Sequence, residues 1–139
     1  MTPAKAPLPF LGTWKLTSCE TSHPDLPHPT TGIATFTQKD DGIHYTNEGV
    51  WSDGRTSKVS AVLQMDGSWC PISDSLVADS ISFRQLDDYA GEARMKKGGA
   101  DVGITRSLIS ADGRTMSGHW ELLGPGGVAV TWKTTSERQ

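Results

Sequence analysis

Residues 33–65 read IATFTQKDDGIHYTNEGVWSDGRTSKVSAVLQM, and this stretch decides the fold class. It contains the pairs Asp41-Gly42 and Asp53-Gly54. Asp-Gly supplies the positive φ angles that tight hairpin turns demand. Between the pairs, β-branched and aromatic residues alternate with polar ones, which is typical of half-buried antiparallel strands. The stretch therefore predicts three consecutive strands joined by short turns.

The same spacing of turn signals continues through the rest of the chain. Further breaks lie at Asp66-Gly67, Gly98-Gly99, Asp112-Gly113 and residues 124–127. No window carries a sustained helical stripe, and the best helical candidate is a single turn at residues 73–78. The spacing predicts an all-β barrel or sandwich of roughly nine strands. The predicted strands are residues 10–19, 33–39, 43–51, 56–65, 80–86, 89–96, 100–110, 114–122 and 128–135.

Length and composition limit the classes of protein that fit. The chain has 139 residues and 35% hydrophobic residues, which predicts a single globular domain over residues 1–139. A net charge of −3 and a pI near 5.7 argue against a nucleic-acid partner. No apolar run approaches the ~20 residues of a membrane span. Residues 1–7 do not resemble a signal peptide, so we expect a cytoplasmic protein.

Motifs for cofactors, metals and common enzyme chemistries are absent from the sequence. His23, Asp25 and His28 offer zinc-binding atoms, but their spacing matches no standard site, so we predict no metal and no cofactor. Cys19 and Cys70 are open to two interpretations. They could form a bridge, but with only two cysteines and no export signal, free thiols are expected.

Alternation also sorts side chains into inward and outward faces. On the segment 100–110 it places Arg106 on the apolar inward face, together with Val102, Ile104 and Leu108. Arginine cannot lose its proton, so an inward guanidinium needs a partner. Three kinds of partner are possible for the guanidinium: a ligand anion, an aromatic ring such as that of Tyr45, or buried waters and backbone carbonyls. The small inward residues Gly91, Ala93 and Gly118 leave space beside it, which indicates a cavity.

The sequence resembles the lipocalin-like, or calycin, barrels. Gly12-Thr13-Trp14-Lys15-Leu16 is similar to the Gly-x-Trp signature in the first strand of lipocalins and fatty-acid-binding proteins. Other segments resemble small bacterial lipocalin-like proteins of unassigned function, namely residues 65–72, 79–82, 110–116 and 137–138. The resemblance implies an up-and-down antiparallel barrel of roughly 8–10 strands around a pocket for a small apolar molecule. It also implies that Arg138 covers Trp14, and that Arg106 matches the interior arginines that hold ligand carboxylates.

The sequence departs from this pattern at both standard covers of the pocket. Pro24, Pro27 and Pro29 forbid the helical lid of fatty-acid-binding proteins, and the last strand leaves no room for the helix that follows a lipocalin barrel. We therefore expect a barrel that lacks a helical lid. Its mouth would be covered by the loop of residues 23–28, acting as a stiff flap, or by a second copy of the chain in a homodimer.

The leading functional prediction is binding or carrying of a small hydrophobic molecule, with an anionic group as an option because of Arg106. The alternative is a calycin-type enzyme, an isomerase, cyclase or hydrolase, that would use Tyr45, Tyr89, Arg106 and His44 on an apolar substrate. A filled barrel that serves as an interaction module is a third possibility. The candidate ligand-binding residues are Arg106, Tyr45, Trp51, Tyr89, Phe83, Trp120 and Trp132.

Overall fold

Ten antiparallel strands make up most of the part of the chain that the structure, a computed structural model, describes, namely residues 9–139. Residues 1–8, which include the start on which the expected cytoplasmic location rests, lie outside it. The strands are β1 (Gly12–Thr21), β2 (Ile33–Lys39), β3 (Gly42–Val50), β4 (Thr56–Leu63), β5 (Asp66–Ser73), β6 (Ser80–Gln85), β7 (Ala90–Lys97), β8 (Ala100–Ile109), β9 (Thr115–Leu123) and β10 (Ala129–Arg138).

Each strand pairs with the next along the chain, and β1 also pairs with β10, so that the sheet closes on itself. Closure leaves no free edge strand and encloses the inward side chains. This confirms the predicted all-β, up-and-down antiparallel barrel. Within residues 9–139 the only helical segment is the short 3-10 turn Pro125–Gly127, so the described chain carries no helical lid and no helix able to cross a membrane.

Three of the Asp-Gly pairs lie at hairpin connections, as predicted, and the fourth lies at the β4–β5 turn, where it forms the first two residues of β5. Gly42, Gly54 and Gly113 have φ angles of 137°, 86° and 73° at the connections β2–β3, β3–β4 and β8–β9. Gly67 has a φ angle of 86° and lies within β5, where the pairing with β6 shifts register. Here the left-handed backbone makes a bulge within a strand. The sequence reading therefore missed β5 and counted nine strands.

The predicted inward face of β8 is correct at Val102, which packs against the buried core, but wrong at Arg106 and Leu108. Thr105 is buried, whereas Arg106 and Leu108 are exposed. Thr105 pairs directly with Ala93 on β7 and with Trp120 on β9, both of which face the interior. Directly paired residues share a face of the sheet, so the neighbours turn Thr105 inward and Arg106 outward. Register with the neighbouring strands thus outweighs the apolar alternation within β8.

One end of the barrel is closed around Trp14, which is 1% exposed. Its Nε1 donates to the carbonyl oxygen of Phe10 at 2.8 Å. The guanidinium of Arg138 lies 4.3 Å from the Trp14 ring centroid and donates to the carbonyl oxygens of Leu11 and Gly113 at 2.6 and 2.7 Å. These contacts confirm that Arg138 covers Trp14, and they join the beginning of β1 to the end of β10.

The opposite end carries the proline-rich segment and the β5–β6 connection. Pro29 forms a backbone bridge with Trp51, and no residue of the segment 22–32 is helical. In the β5–β6 connection, residues 73–78, the best helical candidate in the sequence, are not helical. Instead Asp74 has a φ angle of 60°, and Oγ of Ser75 accepts from the backbone N–H groups of Val77 and Ala78. Both connections contribute side chains to the interior space.

Candidate functional site

The barrel interior contains a cavity of about 200 Å³. An engineered apolar cavity of roughly 150 Å³ is enough to bind benzene, so this one accommodates a molecule somewhat larger than a single aromatic ring. Among residues 9–139, no Asp, Glu, Lys, Arg or His side chain lines it. Most of the wall is apolar and aromatic, including Trp14, Leu16, Ala34, Phe36, Tyr45, Trp51, Val59, Leu63, Ile72, Leu76, Val77, Ile81, Phe83, Ala93, Met95, Met116, Trp120 and Trp132.

The aromatic rings of the wall form two clusters. The Trp132 ring centroid lies 5.5 Å from that of Trp51 and 5.8 Å from that of Trp120. In the second cluster, Phe36 lies 4.9 Å from Tyr45 and contacts Phe10, which in turn packs on Phe83. Five of the predicted ligand-binding residues thus line one cavity: Tyr45, Trp51, Phe83, Trp120 and Trp132.

Uncharged polar side chains occur on several parts of the wall, and four of them come from β8 and β10. Thr105 and Ser107 come from β8, and Thr134 and Ser136 come from β10. Nε1 of Trp120 donates to Oγ1 of Thr134 at 3.1 Å. Gly118 permits this bond, because a Cβ at position 118 would lie 2.5 Å from Oγ1 of Thr134 and 2.9 Å from Nε1 of Trp120.

Tyr45 brings a further polar group to the wall, from β3. Its hydroxyl oxygen accepts from Nδ2 of Asn47 at 3.1 Å. Burial raises the pKa of the Tyr45 phenol, so the side chain is neutral at physiological pH. The cavity surface is therefore uncharged, with a small number of hydrogen-bonding groups on an apolar background.

Arg106 lies outside the cavity, and the prediction that it faces inward is wrong. Its side chain is 69% exposed, and Nε donates to Oε2 of Glu92 at 3.1 Å. Hydrogen bonds from Arg106 and Arg94 lower the pKa of the Glu92 carboxyl. The guanidinium thus meets a carboxylate and water on the outer surface of β8, so it requires no ligand anion.

Tyr89 and His44 also lie away from the cavity wall. Tyr89 is 46% exposed in the β6–β7 connection, where its backbone N–H donates to Oδ1 of Asp87. His44 faces outward, as predicted, and its Nε2 lies 2.7 Å from Oδ1 of Asp41. Of the four residues considered for catalysis, Tyr45 alone lines the cavity.

Gly91 does not leave open space in the interior, so that prediction is wrong. The ring of Phe83 occupies the space next to the Gly91 backbone.

Comparisons with known proteins identify the fold. No protein-family model and no curated protein matches the chain. Among solved structures, a zebrafish ileal bile acid-binding protein complexed with cholic acid matches with a TM-score of 0.55 and 13% identity, over 94% of this chain and 99% of that one. A bovine odorant-binding protein complexed with its natural ligand matches with a TM-score of 0.53 and 10% identity, over 100% of this chain and 77% of that one. The fold is that of the lipocalin-like (calycin) barrels.

Several residues of the cavity wall could not be selected from the sequence. Thr105 and Ser107 were missed because the alternation of apolar residues in β8 indicates the opposite face. Leu76 and Val77 were missed because they belong to an irregular connection, in which no periodicity indicates direction. The register of β8 against the inward residues of β7 and β9 is the signal that would have identified the first pair.

The histidines of the proline-rich segment make local contacts. Nδ1 of His23 lies 2.9 Å from Oγ of Ser22, and Nδ1 of His28 lies 2.9 Å from the carbonyl oxygen of Leu26. In the described part of the chain, no three His, Cys, Asp or Glu side chains are grouped so that they could hold a metal ion.

The two cysteines are free thiols, as expected. Burial raises the pKa of the Cys19 thiol from 9.0 to about 11. Two pKa units correspond to about 100-fold less thiolate, the reactive form, at pH 8. In the variant Cys70→Ala, we expect iodoacetamide to modify Cys19 on the order of tenfold more slowly in the folded protein than in urea, because the greater nucleophilicity of a high-pKa thiolate offsets part of the loss of thiolate. The measurement is the alkylation rate by mass spectrometry, and equal rates in the two states would contradict the assigned burial.

Proposed function

We propose that this protein binds a small, uncharged, predominantly apolar molecule inside the barrel. The observation that carries the proposal is the cavity inside the barrel, whose wall is aromatic, aliphatic and neutral-polar throughout the described residues. Transfer of apolar surface from water into such a space is favourable by about 25 cal/mol per Å². Sites for small molecules have this character, with an apolar wall and a few placed polar groups.

The absence of charge on the wall within residues 9–139 argues for a neutral ligand. A carboxylate in this cavity would lose its hydration without gaining a positive partner, which costs several kcal/mol. The anionic option depended on an inward Arg106, and that side chain is on the outer surface. We therefore assign the cavity to uncharged molecules.

The structural neighbours support binding within a barrel of this kind. Both are named as binding proteins, one complexed with cholic acid and the other with its natural ligand. A shared fold by itself does not establish a shared function, so the cavity and its lining carry the proposal. Because Tyr45 is the only one of the candidate catalytic residues on the wall, the structure favours binding over turnover.

Two measurements test the proposal. Native mass spectrometry of freshly purified protein should show a retained neutral molecule. A titration with α-methylstyrene, followed by NMR, should saturate and should shift the indole N–H signals of Trp51, Trp120 and Trp132, which line the cavity. The control variant Arg106→Ala should bind the probe within twofold of the unmodified protein. A clean mass together with no saturable shift would overturn the proposal.

A further inference from the structure

We infer that the ligand carries a hydrogen-bond acceptor, and that Nε1–H of Trp132 and the hydroxyl of Thr105 bind it. This inference rests on the proposed function and specifies the chemical class of the ligand. It assigns the cavity to neutral ketones, esters, ethers or alcohols in preference to pure hydrocarbons of the same shape.

Two buried polar atoms of side chains that line the cavity have no hydrogen-bond partner within residues 9–139. Thr105 and Trp132 are 6% and 5% exposed, and both line the cavity. Oγ1 of Thr105 and Nε1 of Trp132 find no hydrogen-bond partner among the residues that the structure describes. Buried polar groups are almost always paired in folded proteins, because an unpaired one loses its hydration without compensation. Two such groups on the wall of one cavity therefore point to a bound molecule that completes them.

The two atoms belong to one row of side chains across the sheet. Thr105 on β8 pairs with Trp120 on β9, which in turn pairs with Trp132 on β10. Adjacent strands are about 4.8 Å apart, so the Thr105 and Trp132 backbones are separated by roughly 10 Å, a span that one small molecule can bridge. Between them, the Trp120 N–H is already bonded to Thr134. Trp120 therefore does not compete for the acceptor.

The donors and the surrounding wall together define the ligand. Indole Nε1–H can only donate, and the threonine hydroxyl can donate or accept, so an oxygen acceptor satisfies both groups. Across β6 and β7 the wall is apolar, with Ile81, Phe83, Ala93 and Met95. A molecule with an apolar body and one carbonyl, ether or hydroxyl oxygen directed at β8 and β10 matches this distribution.

Acetophenone and α-methylstyrene test the inference, because they share one shape and differ in having C=O or C=CH₂. Trp132→Phe removes the N–H and keeps an aromatic ring, and Thr105→Val removes the hydroxyl and keeps the branched shape. Each change should raise the dissociation constant of acetophenone by about fivefold, which is the effect of losing one neutral hydrogen bond. The dissociation constant of α-methylstyrene should stay within twofold of its value for the unmodified protein. Isothermal titration calorimetry supplies the dissociation constants. Thr105→Ser, which retains the hydroxyl, should restore most of the acetophenone affinity.

The matched control is Trp120→Phe, which removes an N–H that is already bonded within the protein. This variant should change the two affinities by the same factor. Thr105→Val should keep or raise the midpoint of thermal unfolding in the ligand-free protein, because it removes an unpaired buried hydroxyl. A clearly lowered midpoint would show that the hydroxyl is already bonded and would overturn the inference.

The remaining outcomes separate this inference from the proposed function. If both probes bind and Trp132→Phe and Thr105→Val weaken them equally, the inference fails, because the two groups then bind water or contribute shape alone. If neither probe binds the unmodified protein, the proposed function fails, and the inference fails with it. If both variants lose affinity for acetophenone and keep their affinity for α-methylstyrene, the result supports both the inference and the proposed function.

Discussion

Replacement of Trp14 by alanine should lower the free energy of unfolding by about 3–5 kcal/mol, the usual cost of removing a fully buried large aromatic side chain. Trp14 is 1% exposed, and its indole fills the closed end of the barrel beneath Arg138. The substitution leaves a large void and leaves the carbonyl oxygen of Phe10 without its indole partner. Because domains of this size are stable by roughly 5–15 kcal/mol, much of the total stability would be lost.

Urea unfolding followed by circular dichroism measures this effect, with Trp69→Ala as the control. Trp69 is 43% exposed on the outer surface, where Nζ of Lys96 lies 4.3 Å from its ring centroid. Its removal should cost less than about 1 kcal/mol. Similar losses for the two variants would show that the Trp14 end of the barrel is not a principal source of stability.

Replacement of Ser107 by leucine should weaken binding of α-methylstyrene by at least about tenfold. Ser107 lines the cavity, and a leucine side chain there would project into a space of about 200 Å³. The added group occupies the volume that the probe requires. An apolar side chain added to an existing cavity should lower the free energy of unfolding by no more than about 1–3 kcal/mol. The variant should therefore fold and lose affinity.

Arg106→Leu is the matched control, because it introduces the same side chain at the adjacent position, which faces outward. This variant breaks only an ion pair with Glu92 on the outer surface of the barrel and should keep the affinity for α-methylstyrene within twofold. Calorimetric titrations of the two variants, with unfolding midpoints measured in parallel, give the comparison. Equal affinities would show that the molecule binds outside the barrel, and a loss only in Arg106→Leu would show that the cavity is not the site.

The contrast between positions 106 and 107 also shows where sequence reasoning about the site succeeded and where it failed. Alternation correctly placed Tyr45 and Trp132 on the inner surface, because the apolar residues of their strands coincide with the inward face. In β8 the apolar alternation indicated the wrong face, and the inward positions are held by Thr105 and Ser107. Where a strand contributes polar side chains to a cavity wall, as β8 does, the usual relation between hydrophobicity and burial is reversed, so a rule based on that relation selects the wrong face.

The sequence by itself determined the all-β class and most strand positions, because turn residues and alternation act over a few neighbouring residues. The Trp14–Arg138 contact was implied by the resemblance to lipocalin-like barrels and not by any local pattern. Only the tertiary structure decided that Asp66-Gly67 forms a bulge and that β8 presents its polar side to the interior. The physical reason is that the side chains of a strand reverse faces with a register shift of one residue. That register depends on strands far away in the chain and on closure of the whole barrel, which no local pattern specifies.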